Sequence, residues 1–263
     1  MSTPQSDTRT RRVLLAFDLR APFTSSLSAA RALVEALGAE LSGLFVEDIN
    51  LLRLAALPFT REVGATSGVS RPIELPDVER VLRLQADAAR QALSELAAEL
   101  AVPWSFRVER GDLVDRVLAE MSETVAAVLV PPVLARKREA PSGKHSEQRR
   151  PAGQRLLALW DRSAAGVETV AMTMRLAAVQ HATVTLAVVD GEPHPKSLVS
   201  LLASAPPGTR VLSLARSDPA VLAGQLRAAG CDLLLLSWTA LERDRDRMRA
   251  LIEGAGSPVV LLG

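Results

Sequence analysis

The sequence predicts an α/β protein built as two tandem doubly wound domains, each a parallel sheet with helices on both faces. Three observations carry this. Short apolar runs flanked by charge or proline, such as "RRVLLAFD" (11–18) and "VAAVLVPP" (125–132), are the mark of strands buried on both faces. Segments with helical spacing separate them. The order then restarts: "RLLALWD" (155–161) echoes "RVLLAFD" (12–18), an arginine, four small apolar residues, an aromatic and an aspartate. Repeated βα units with right-handed crossovers give a doubly wound parallel sheet, here made twice.

Each element follows in turn. After the strand at 11–18, residues 22–37 carry Leu27, Ala30, Leu33, Val34 and Leu37 at helical spacing, with Gly38 as a natural cap. "AELSGLFVED" (39–48) is the second strand. Residues 49–57 are apolar at nearly every turn until Pro58 stops the helix. Leu51, Leu52, Leu54 and Leu57 are expected to be buried, as a lid over the carboxyl edge of the sheet; a larger apolar face than a lid needs would instead serve a partner. Residues 60–76 read as a Gly, Ser, Thr and Pro-rich loop, and 77–100 as a long amphipathic helix. Then come a strand at 104–112, a helix at 113–123 and the buried strand 125–132.

Residues 1–10 are polar, and 133–153, "VLARKREAPSGKHSEQRRPAG", is basic and broken by Pro and Gly, so it reads as a linker between a first domain at 11–132 and a second at 154–263. In the second domain the strand 155–161 leads to a helix at 166–180, a strand at 182–190 and a short helix near 195–204. A strand at 209–218, a helix at 219–229, a strand at 231–238, a charged helix at 240–253 and a strand at 257–263 complete it.

Composition narrows the function. Lys and Arg number 31 against 30 Asp and Glu, which leaves nothing to draw nucleic acid or a membrane surface. No apolar run reaches the roughly 20 residues that span a bilayer, so no membrane insertion is expected. One cysteine, Cys231, excludes an internal disulfide framework and fits a reducing cytoplasm. "MSTPQSDTRTRR" holds no apolar core of a signal peptide.

Four features together resemble the universal stress protein family in its tandem form: a first strand ending in Asp, "LFVED" after the first helix, "ERGD" opening the third helix, and a closing "SPVVLL". The resemblance covers nearly the whole chain and is more specific in the first half. It implies Rossmann-like, adenine-nucleotide-hydrolase-like domains with strand order 3-2-1-4-5, dimerisation through the fifth strand and, in many members, ATP binding. It also implies that Asp18, Val46 and Gly111 line the adenine side of the first domain's crevice. Asp18 and Asp161 match the family's aspartate at the end of strand one; the competing reading of each is a cap for the following turn or helix.

The family's phosphate loop, Gly-x2-Gly-x9-Gly-Ser/Thr, works because glycines let backbone N–H groups approach phosphate oxygens. In the first domain that place reads "VLVPPVLARKRE", and Pro131 and Pro132 have no N–H to give. In the second it reads "LLLLSWTALERDRDRM", with Trp238 where close approach is needed. Gly254, Gly256 and Ser257 abut the closing strand and read as a helix end and turn. The expectation is therefore a non-catalytic module that binds an unknown protein partner and has lost or weakened ATP binding. No other cofactor and no metal is expected. The alternative is an ATP binder with weak hydrolysis through an atypical loop. Any ligand crevice in the first domain is expected to be apolar.

Remaining polar residues read as structural. Asp112 and Asp218 stand where N-caps are expected. His145, His181 and His194 lack the spacing of a metal site or triad. Cys231 opens a buried strand, as an inert thiol. "ERDRDRMR" (242–249) reads as a solvated helix face and "ARKR" (135–138) as solvated linker. One strand is expected to be missing: the stretch from 132 to 154 is too short and polar to supply a helix and fifth strand, which leaves the first half without one or with only a remnant near Val133-Leu134. The second domain keeps its own at 258–262, and that unpartnered edge is expected to pair with its copy in a homodimer.

Overall fold

The computed structural model describes residues 11–20, 23–63, 68, 70–121, 125–132, 154–160, 163–189, 200, 202–203, 205–215, 217–238 and 244–263. The polar N-terminus 1–10, the linker 133–153 and most of the expected helix 195–204 lie outside these.

Strand β1 (Arg12–Phe17) is buried from Val13 to Phe17, and its side chains alternate between two cores. Val13, Leu15 and Phe17 enter one; Leu14 and Ala16 enter the other. This two-sided burial is why the strand reads as a continuous apolar run rather than an alternating one. Helix α1 (Leu27–Leu37), preceded by a short 3-10 turn, ends at Gly38. With φ +57, Gly38 takes the left-handed conformation that an L side chain resists, and its N–H bonds the carbonyl of Val34. Strand β2 (Glu40–Asp48) runs straight into α2 (Ile49–Ala55).

The stretch read as a loop holds a hairpin, β3 (Arg61–Val63) with β4 (Ser70–Pro72). Then follow α3 (Leu75–Leu100), β5 (Trp104–Gly111), α4 (Leu113–Glu120) and β6 (Val125–Val130). The second half comprises β7 (Arg155–Trp160), α5 (Ala164–Gln180), β8 (Thr183–Val189), β9 (Arg210–Leu214), α6 (Pro219–Ala229), β10 (Leu233–Ser237), α7 (Arg245–Gly254) and β11 (Val259–Leu262).

All strands but β3 and β4 form one nine-stranded sheet in the order β5-β2-β1-β6-β11-β10-β7-β8-β9. The second half thus has its strands in the order 3-2-1-4-5, and the first, among the described residues, has 3-2-1-4. Neighbours are parallel throughout, except that β11 meets β6 antiparallel, with Val259 opposite Val130 and Leu262 opposite Ala127.

This pairing corrects the expected homodimer through residues 258–262. Strand β11 is hydrogen-bonded to β10 on one side and to β6 on the other, and Val259, Val260, Leu261 and Leu262 are all buried. The edge is satisfied within the chain, so it has no free N–H or C=O row to offer a second copy.

The same economy applies to the layer of helices. On one face Leu113, Val114, Val117 and Leu118 of α4, Met248, Leu251 and Ile252 of α7, and Leu222 and Leu226 of α6 share a core with both halves of the sheet. Helix α7 lies along α6 and also touches α4. Among the described residues, strand β11 and helix α7 therefore close the sheet and the helix layer of both halves. The opposite face is covered by α1, α3 and α5, which also share one core.

Helix α2 is only half the lid that its sequence suggests. Leu52 and Ala55 are buried, and Leu51 is half-buried. Leu54 is 53% and Leu57 56% exposed, and Phe59 beyond them is 97% exposed at φ +85. The apolar spacing runs around the helix, and one short helix on a sheet edge has only one face to bury.

Candidate functional site

In an open α/β sheet, ligands bind beyond the carboxyl ends of the strands where the strand order reverses. In the first half this place is bounded by the ends of β1, β2, β5 and β6. Asp18 follows β1 and is 5% exposed. Its carboxylate accepts the backbone N–H of Arg20 at 2.9 Å and the Arg20 Nε–H at 2.6 Å, so it closes the turn after the strand. Burial would lower the Arg20 pKa, but the charge and hydrogen bond of Asp18, with Asp48 and Asp112 beyond, leave it raised above its ordinary value.

Asp48 ends β2 and caps α2 by accepting the Asn50 N–H at 2.8 Å. Asp112 follows Gly111 and caps α4, accepting the Asp115 N–H at 3.1 Å. It also accepts from Arg249 Nη1 of α7 at 3.0 Å, while Arg249 Nη2 reaches Asp115 at 2.6 Å. Burial pushes the Asp112 pKa up, but these hydrogen bonds and the Arg249 charge hold it below the usual carboxylate value.

The carboxyl ends of β1, β2 and β5 thus carry three committed carboxylates and an arginine, a more polar rim than the apolar crevice that the sequence led us to expect. Of the other expected lining residues, Val46 is wholly buried among the core of the sheet. Gly111 lies under Arg116, whose Nε and Nη2 donate to the Arg110 carbonyl at 3.2 and 2.6 Å. A Cβ on Gly111 would stand 2.7 Å from Arg116 Nε, so glycine here makes room for that side chain.

The direction of α7 matters most. Because the start of β11 lies beside the end of β6, α7, which ends just before β11, brings its carboxyl end to the carboxyl edge of the first half. A phosphate cradle needs the start of a helix, with free N–H groups and positive potential. Here the crevice meets the opposite pole. The N-terminus of α4 does face the crevice, but Asp112 and Asp115 hold it together with Arg249.

In the second half Asp161 lies outside the described residues, as do His145, His194 and the basic run 135–138. Trp238 is buried, and its backbone N–H is taken by the Leu262 carbonyl at 2.8 Å. Asp244 caps α7 through the Arg247 N–H at 2.9 Å. Gly254 ends α7 against Ala223, Gly256 turns at φ +67, and Ser257 contacts Cys231 at 3.2 Å. Burial raises the Cys231 thiol pKa, the direction that disfavours the thiolate. Asp218 stands at the N-cap of α6 without a side-chain cap bond, and His181 is the left-handed C-cap of α5. Among the described residues, no cluster of His, Cys, Asp and Glu is placed to hold a metal, and no helix is long and apolar enough to cross a membrane.

Arg249 is the residue that the sequence reading missed. Its signal was present: Met248, Leu251 and Ile252 are the buried stripe of α7, and Arg249 sits at the border of that stripe, not on the far face.

No protein-family model and no curated protein matches the sequence. Solved structures do. A universal stress protein from Archaeoglobus fulgidus DSM 4304 superposes with a TM-score of 0.50 at 9% identity, over 95% of this chain and 95% of that one. The fold is that of the universal stress proteins. A putative universal stress protein from Pseudomonas aeruginosa UCBPP-PA14 matches with a TM-score of 0.46 at 11% identity, over 97% of this chain and 94% of that one.

Proposed function

We propose that the chain is a stress-response module of the universal stress protein type that works by binding a protein partner, without catalysis, and in which ATP binding is lost or weak. The observation that carries this reading is the polarity of α7, whose carboxyl end meets the first crevice where a phosphate loop would need a helix start. Pro131 and Pro132 add no donors there, and the donor of Trp238 in the second half is spent on Leu262. Asp18 and Gly111 would still bound any adenine-sized ligand, together with Arg20, Asp48 and Asp112, while Val46 lies buried beneath them. The exposed Leu54, Leu57 and Phe59 beside that crevice support partner binding, since large apolar side chains grouped on a surface mark interaction sites. The reducing cytoplasm suits the single thiol.

Equilibrium titration with ATP and magnesium tests the reading. No saturable binding is expected below about 1 mM. Tight, magnesium-dependent binding would restore the alternative, a nucleotide binder with weak hydrolysis.

A further inference from the structure

We propose that the seam between the two halves holds a binding site for a small phosphate-type anion, separate from the nucleotide crevice. A cavity of about 240 Å³ lies where the start of β6 and the end of β11 run out between α1 and α5. Arg11, Ala126 and Leu37 bound it from the first half; Glu168, Arg175 and Gly263 bound it from the second. Pockets favour such joins.

The side chains make it more than a gap. Arg175 lies seven positions beyond Glu168 on α5, so both project from one face of that helix. Arg11 comes from the opposite wall, just ahead of β1. Several arginines elsewhere are tied into ion-pair networks, as Arg249 is with Asp112, Asp115 and Glu253. In this cavity neither Arg11 nor Arg175 has a side-chain partner among the described residues, and Glu168 bonds to neither. At the floor the Gly263 N–H is already spent on the Ala126 carbonyl. The charged side chains left without a partner are two guanidinium forks and one carboxylate.

That set selects a ligand. Guanidinium groups match the paired oxygens of phosphate or carboxylate. Glu168 repels a fully deprotonated dianion but accepts a hydrogen bond from an O–H. Hydrogen phosphate, free or as a monoester with a hydroxyl, offers both. A cavity of about 240 Å³ has ample room for such an anion and its bound water. Because residues of both halves contribute, occupancy would tie the seam together.

The test is calorimetric titration of the full chain at pH 7 with inorganic phosphate, glycerol phosphate and sulfate, at constant ionic strength. Wild type is expected to bind phosphate or glycerol phosphate saturably in the millimolar range or tighter, and sulfate at least tenfold more weakly. Arg175→Ala should weaken phosphate at least tenfold. Glu168→Gln should close the gap between phosphate and sulfate, because the amide donates where the carboxylate only accepts. Both residues are solvent-exposed, so unchanged circular dichroism is expected to confirm folding. Tighter glycerol phosphate would name a monoester as the ligand, and tighter inorganic phosphate the free ion. Phosphate binding unaffected by Arg175→Ala, or no saturable binding of either phosphate, overturns the proposal. None of these outcomes depends on whether the crevice binds ATP.

Discussion

Arg249 of α7 reaches across 137 positions of the chain to the Asp112 carboxylate at the N-cap of α4, at 3.0 Å. One arginine from the second half thereby neutralises the helix start that opens onto the crevice of the first. Replacing it with Gln should lower stability by about 0.5–1 kcal/mol at pH 7, the range for a partly exposed ion pair. The pH dependence has a definite sign. The folded pKa of Asp112 is depressed, so its contribution is present above the unfolded value of about 3.9 and is lost as pH falls through the lower folded value. The gap between wild type and Arg249→Gln in urea midpoint should therefore be full at neutral pH and shrink below about pH 4. Equal midpoints at pH 7 would show that the pair contributes nothing.

Helix α2 separates burial from exposure within one turn and a half. Leu52 is 8% exposed, so Leu52→Ser should cost about 2–4 kcal/mol through lost contacts and a cavity. Leu57 is 56% exposed, and Leu57→Ser should stay within about 0.5 kcal/mol. Chemical denaturation of the two single variants checks this; equal losses would mean that Leu57 is covered in solution.

Val260 in β11 is wholly buried. A lysine there would place an unpaired charge between the halves, with several kcal/mol at stake. The expected result for Val260→Lys is loss of the cooperative unfolding transition followed by circular dichroism. A folded variant that merely sediments more slowly than wild type would instead point to an interface between chains.

Ala101 and His181 close α3 and α5 in the left-handed conformation, at φ +53 and +50. Glycine removes the steric cost of that conformation, about 1 kcal/mol, against some added freedom in the unfolded chain. Ala101→Gly and His181→Gly should each leave the melting temperature unchanged or raise it by a few degrees. A fall of several degrees for either would mean that the side chain itself packs usefully.

Much of this architecture is written locally. Apolar runs such as Val13–Phe17 and Leu233–Leu236 identify themselves as central strands because both of their faces are buried. Gly38 is legible as a cap because few other residues take its backbone angles. The hairpin of β3 and β4 was not legible: "REV" and "SRP" are three-residue strands with no apolar alternation to follow. That the first half would lack its own fifth strand was an expectation from the shortness of 132–154, most of which lies outside the described residues. What pairs with the edge of β6 was not legible, because an unpaired edge is equally satisfied by a second molecule or by a distant strand of the same one. The carboxylate-lined crevice was half visible: Asp18 and Asp112 were singled out, but their partners Arg20 and Arg249 depend on how turns and helices face each other.

The sharing of β11 has a consequence for biosynthesis. Strand β6 is complete once residue 130 has left the ribosome, yet the strand that covers its edge ends at residue 262. At about 5–20 residues per second, that edge waits uncovered for roughly ten seconds or more. For that interval the nascent chain carries a buried-type apolar strand with one side open, the state most apt to pair wrongly with a neighbouring copy. The protein should depend on chaperone cover during translation more than a protein whose domains close one at a time.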